Sequence, residues 1–126
     1  MKLIEALSTY SPGDIVLLVR GTFTRYPGTT LISMNHLFVV VDDKNVCEIS
    51  SKNSKVSSKF PYNIEILNWS QAGLRKPCHV KTDTYGEIDD NGVFKLIGRL
   101  SNRDLTRVLR SYQSAPQNYR LELMRR

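Results

Sequence analysis

Lys81 and Asp83 are the residues of this 126-residue chain whose types and spacing bear most directly on chemistry. They close the run CHVKTD, and alternate side chains of a β-strand share a face. A carboxylate beside a cation on one rim can take a proton from a hydroxyl while the cation stabilises a phosphate. Metal-free RNA cleavage requires that pairing. The same two residues also fit a cross-face salt bridge of purely structural meaning. Other chemistry-bearing types are sparse. His36 and His79 are the only histidines, and neither stands in a Cys/His ligand spacing. Cys78 and His79 are neighbours that a strand would turn to opposite faces, so no zinc site is expected. GTFTRYPG lacks the glycine pattern and the following helix of a phosphate loop, and no nucleophile elbow or dinucleotide fingerprint occurs. No cofactor is implied.

The formal net charge is +6, a balance that favours polyanionic partners or simply solubility. From Arg103 to Arg126, six arginines oppose Asp104 and Glu122, which leaves +4 of that charge in the last stretch. It reads as a solvated helix face and tail, or as a basic arm for nucleic acid or an acidic peptide. Two segments could meet RNA directly. Gly21 to Thr30 reads as a loop holding Phe23, Arg25 and Tyr26, aromatics interleaved with arginine that suit stacking on single-stranded bases. Loop aromatics can equally fold back onto the body of the protein. Ser51 to Lys59 carries three lysines, Lys52 among them, between serines; these would clamp phosphates or be solvated.

The positioning elements follow from pattern. Hydrophobic residues make up 40% and charged residues 24% of the chain, which fits one folded domain spanning residues 1–126. Met1 to Ser8 suggests a short helical lead-in, too short and polar for a secretory signal. Cys47 and Cys78 lie in apolar runs and are expected as buried free thiols of a reducing compartment. After the turn signal SPGD, IVLLVR reads as a strand ending at Arg20. HLFVVV and NVCEI are separated only by Asp42, Asp43 and Lys44, which forces an antiparallel hairpin. YNIEIL, CHVKTD and VFKLIGRL supply further strands, with SQAGLRKP a turn and Asn91-Gly92 another. Trp69 is expected in the core. One helix, about 101–114, begins at Ser101, where Asp104 three residues on completes a capping-box-like pair and Leu100 and Leu105 are placed for a staple. Leu105, Val108, Leu109 and Tyr112 form its apolar stripe, and Pro116 ends it before a basic tail over 115–126. About six short strands and one helix predict a mainly β fold, a small, partly open barrel or rolled sheet.

Taken in order, PGDIVLL, EISSK, GLRKPCHVKTDTYGEID and FKLIGRLSNRDLTRVL resemble the PemK/MazF family, the ribonuclease toxins of bacterial toxin–antitoxin pairs. The likeness is fullest from Gly73 to Tyr112. It implies an SH3-like barrel of antiparallel strands with one C-terminal helix, a cytoplasmic homodimer, and an antitoxin protein that covers the substrate face. The implied reaction is metal-independent cleavage of single-stranded RNA by attack of a ribose 2′-hydroxyl. Carried over residue by residue, Asp83 falls on the general base, Lys81 on an arginine that acts as acid or phosphate ligand, and Ser50 and Ser51 on a Thr/Ser pair that contacts phosphate. Arg20, Arg25, Tyr26, Ser50 and Lys52 would then contact RNA, and His36, Lys81, Asp83 and Ser51 would form the catalytic set. His36-Leu37 stands where the family has Arg-Pro. Histidine can pass protons near neutrality, its ordinary pKa being about 6.5, but it lacks the bidentate grip of a guanidinium; a strand-start histidine bonded to backbone is the bland alternative. Two other functions fit the same barrel: a non-catalytic nucleic-acid- or protein-binding module, and a phage or mobile-element protein that inhibits a host protein.

Overall fold

The computed structural model describes residues 10–25, 31–33, 35–42, 45–51, 61–88 and 92–115. It is mainly β with a single described helix at the C-terminal end. The strands are β1 (Asp14–Arg20), β2 (Thr22–Arg25), β3 (Leu31–Ser33), β4 (His36–Val40), β5 (Val46–Ser50), β6 (Asn63–Glu65), β7 (His79–Ile88) and β8 (Val93–Arg99), followed by helix α1 (Asn102–Ser114). Every pairing is antiparallel, in the spatial order β3-β2-β7-β5-β4-β1-β8, with β6 paired to β7 off this path. The ladder is open: β3 and β8 are its two ends. No described helix is long and apolar enough to cross a membrane.

The sheet is apolar on both faces, which is why β4 reads as a continuous hydrophobic run instead of alternating. Ile15, Val39, Cys47, Ile49 and Val80 pack on one side with Val108 and Tyr112 of α1. Val16, Leu18, Phe23, Phe38, Val40, Val46 and Ile88 pack on the other. The β4–β5 hairpin is antiparallel as expected, with Val40 opposite Val46 across its short connection. Asp42 holds the turn by accepting from the Asn45 backbone N–H at 2.7 Å and from its side-chain amide at 3.1 Å. Both cysteines are buried free thiols, and Trp69 packs against the first core.

Gly21 to Thr30 does not behave as a loop throughout. Thr22–Arg25 is strand β2, held by β7 on one edge and by β3 on the other. Phe23 is fully buried, its ring centroid 4.7 Å from that of Phe38, so it is closed to base stacking. Thr and Phe favour a pleated, half-buried setting, and the bare Cα of Gly86 lets the β2 backbone and the Phe23 ring lie where a Cβ would collide. β7 is also longer than CHVKTD, running on through Gly86 to Ile88. Residues 1–9, Asp43, Lys44, Tyr26, Lys52 and the rest of 52–60, Asn91 and Pro116 onward lie outside the described residues.

Helix α1 begins as expected, the Ser101 side chain accepting from the Asp104 N–H at 3.2 Å. The capping box is only half made. Asp104 turns inward and accepts from the backbone N–H groups of Leu67 (3.1 Å) and Asn68 (2.8 Å). Ser111 and Thr82 share a 2.6 Å hydrogen bond, and Thr82 Oγ1 donates to the Tyr62 carbonyl at 2.6 Å, docking the helix over β7. Gly98 of β8 meets the Ala72 carbonyl, and Gly73 (φ +91°) meets the Ile97 carbonyl, so closely that a side chain at either would displace backbone. This backbone-on-backbone contact fixes the 72–78 segment beside β8.

Candidate functional site

A groove of about 540 Å³ opens where the 73–78 segment crosses the ends of β4 and β5 and faces β8. Leu17, Leu37, Ile49, Leu74, Cys78 and Ile97 make an apolar floor, and His36, Ser50 and Ser51 line one wall. Arg75, Lys76 and Lys95 line the other. All three of these residues are exposed. No carboxylate is among the described lining residues. Other arginines have structural partners: Arg99 is 2.6 Å from Asp14, and Arg107 is 3.1 Å from Asp104. Three cations with no carboxylate partner among the described residues, set over an apolar floor, concentrate positive potential, the setting in which an anion gains most.

Asn35 leads the chain into His36, whose ring packs against that of Phe38. Asn35 adopts a left-handed backbone (φ 56°), a conformation Asn tolerates better than most residues, and its N–H donates to the Leu18 carbonyl at 2.7 Å. His36 stands opposite Leu18. Pairing of Phe38 with Glu48, continued two residues along the hairpin, brings His36 level with Ser50, which in turn pairs with His79. The His36 side chain is 30% exposed and Nε2 lies 3.5 Å from Oε1 of Glu48, whose side chain is 2% exposed. Nε2 itself is buried without a hydrogen bond in this geometry.

The structure thus brings His36, Ser50 and Ser51 together and leaves Lys81 and Asp83 outside the groove lining. Lys81 and Asp83 are half-buried, and no ion pair joins them among the described residues. The β5–β7 ladder is widened at this point. Ile49 pairs with Val80 and Cys47 with Tyr85, so residues 81–84 stand against Glu48 alone. There β7 trades β6 for β2 as its neighbour, while Lys81 and Asp83 still flank the fully buried Thr82, as strand alternation requires. Arg20 is exposed at the end of β1 and does not line the groove. Arg25 is placed by its backbone in β2; Tyr26 and Lys52 lie outside the described residues. Arg75, Lys76 and Lys95 were not singled out from sequence, although the basic pair inside the turn GLRKP was a signal.

Two titratable neighbours are less suited to chemistry. Burial pushes the Cys78 thiol above its ordinary pKa, with Lys76 acting in the opposite sense, and its S–H donates to the Lys76 carbonyl at 3.3 Å; it is a protonated wall residue, not a nucleophile. Burial pushes the His79 imidazole below its ordinary pKa, and the Lys81 ammonium adds to this. His79 is 2% exposed and its Nδ1 has no hydrogen-bond partner. The unfolded chain therefore takes up a proton below about pH 6.5 that the folded chain resists. Stability from this group is complete above that pH and falls as the solution is acidified, by at most about 1.4 kcal/mol per pH unit. Urea midpoints measured between pH 7.5 and 5.5 are expected to drop in the native chain, and to drop less in His79→Leu.

No family model and no curated protein matches this chain.

Proposed function

We propose that the groove binds single-stranded RNA and cleaves it without a metal, with His36 as the proton acceptor. The observation that carries this reading is that His36, Ser50 and Ser51 line one groove together with three cations that have no carboxylate partner among the described residues. In that arrangement Arg75, Lys76 and Lys95 hold a phosphodiester, and Ser50 and Ser51 donate to its non-bridging oxygens. His36 takes the proton of the 2′-hydroxyl, the 2′-oxygen bonds to phosphorus, and the P–O5′ bond breaks. The departing 5′-oxygen takes a proton from an ammonium of the rim, leaving a 2′,3′-cyclic phosphate and a free 5′-hydroxyl. Asp83 and Lys81 drop out of the bond-making step. The toxin role, the antitoxin, the homodimer and the cytoplasmic setting implied by the PemK/MazF resemblance belong to the same proposal; a strand-like acidic segment of a partner would complement the cationic wall.

A second reading, a nucleic-acid-binding module without catalysis, draws on the absence of Lys81 and Asp83 from the groove. One experiment separates the two. Purified protein is incubated with single-stranded RNA in excess chelator, and product ends are identified. Cyclic-phosphate ends that persist in Asp83→Asn support the groove-centred enzyme; salt-sensitive retention of intact RNA supports the binding module. In either case the triple variant Arg75→Ala, Lys76→Ala, Lys95→Ala is expected to flatten the dependence of log affinity on log salt by about 2, since each phosphate contact on a single strand contributes about 0.7. Fluorescence anisotropy with labelled RNA between 50 and 200 mM salt, roughly the range over which such contacts are read, measures it. An unchanged slope would place the RNA elsewhere.

A further inference from the structure

Glu48 is a buried carboxylate that the cleavage scheme does not use, and its placement against His36 is informative. Its side chain is 2% exposed, and Oε1 is 3.5 Å from the His36 Nε2. The backbone around it is well determined by pairing: Phe38 stands directly opposite Glu48, and the His36 ring lies 5.0 Å from that of Phe38 at an interplanar angle of 56°. The imidazole is thus wedged between a phenyl ring and a carboxylate, with one edge inward. On its far side Glu48 faces the widened part of the β5–β7 ladder that contains Lys81 and Asp83.

We infer that Glu48 is the positioning residue for His36, holding the proton of the neutral imidazole on Nε2 and leaving Nδ1 as the acceptor. In a neutral imidazole one nitrogen carries hydrogen and the other a lone pair. A lone pair on Nε2 would confront a buried carboxylate at 3.5 Å, whereas an N–H there is attracted to it and needs only a small shift to make a full hydrogen bond. The tautomer of a histidine is set by what its other nitrogen meets, and hydrogen bonds of this kind are often long before substrate arrives. Nε2 is buried, so Nδ1 is the nitrogen left for a ligand. When His36 gains a proton from the 2′-hydroxyl, the adjacent negative charge stabilises the imidazolium. A carboxylate that orients and stabilises in this way does not itself take the proton.

The inference rests on the RNA-cleavage reading for its consequence but not for its test. The chain has two histidines, so long-range proton–nitrogen NMR of the uniformly nitrogen-labelled native protein at pH 8 resolves both rings, with His36→Gln assigning them. The expected result is His36 in the Nε2–H tautomer, and loss of that preference in Glu48→Gln, an isosteric variant without the charge. An Nδ1–H ring in the native chain, or a tautomer unmoved by Glu48→Gln in a variant that still melts cooperatively, overturns the assignment; the first of these needs no variant to fold. With cleavable RNA, Glu48→Gln is also expected to lower kcat about tenfold or more with KM nearly unchanged, the pattern of a misoriented base. If the native ring is Nε2–H and RNA is never cleaved, Glu48 positions His36 and the nuclease reading is the one that fails.

Discussion

Replacing His36 with alanine is expected to reduce RNA cleavage by about 10²- to 10⁴-fold, the range a positioned proton acceptor contributes. The loss should appear in kcat and in kcat/KM together, because the imidazole acts on the 2′-hydroxyl in the transition state while the cations of the opposite wall carry ground-state binding. RNA affinity should therefore change little, and single-turnover rates at saturating protein are the measurement that isolates the step. The variant should also remain folded: His36 is a strand-start residue, 30% exposed, with Leu18 across from it on β1. One complication works in a known direction. Alanine leaves Glu48 buried without the imidazole beside it, so His36→Gln, which returns an amide donor to the same place, is the better-folded comparison and should be equally inactive. Cleavage in His36→Gln at more than about a tenth of the native rate would show that the imidazole is not the acceptor, since even the lower bound for that role is about a hundredfold.

How much of this was legible in the sequence depends on whether local pattern or chain crossing decides the matter. HLFVVV and NVCEI declared their hairpin because three residues allow no other connection, and α1 declared itself through Ser101 and the spacing of Leu105, Val108, Leu109 and Tyr112. β2 was hidden because TFTR is short and lies among Gly and Pro. Its strand character is conferred by β7, through Gly86, far along the chain. Lys81 and Asp83 show how much depends on the neighbouring strand. Period-two alternation sets both beside the buried Thr82, but residues 81–84 face Glu48 alone and neither residue lines the groove. The cationic wall was least legible. Arg75 and Lys76 lie in a turn and Lys95 in a strand; they line one groove beside the point where Gly73 and Gly98 let two backbones touch. His36, Ser50 and Ser51 came through the family resemblance, and their gathering in one groove depends on the hairpin register that pattern did supply.

Asp104→Ala is expected to be the most destabilising substitution considered, at about 3–5 kcal/mol, with a fall in Tm of more than about 10 °C. Asp104 is 0% exposed, and both its oxygens are occupied. Oδ1 accepts from the Leu67 N–H at 3.1 Å and from Arg107 Nη1 at 3.1 Å, while Oδ2 accepts from the Asn68 N–H at 2.8 Å. Its own N–H caps on Ser101, whose hydroxyl donates to Asn68 Oδ1 at 2.9 Å. The carboxylate thus joins the first turn of α1 to the 65–68 segment that leads into the groove wall. Alanine strands two backbone donors, each worth about 1–3 kcal/mol when buried and unpaired, and opens a cavity besides. An asparagine side chain at this position would keep one acceptor and set an amide N–H₂ against the other donor, so Asp104→Asn should fall between alanine and native. Arg107 is a lesser partner, 36% exposed and also bonded to the Glu65 carbonyl at 2.7 Å; Arg107→Ala should cost about 1 kcal/mol or less through the ion pair itself. Thermal and urea unfolding of the three variants would give the order alanine, asparagine, arginine variant. If Arg107→Ala proved as damaging as Asp104→Ala, the anchor would be an ion pair. The geometry instead makes it a carboxylate that satisfies backbone, and the helix and the groove wall should loosen together when it is removed.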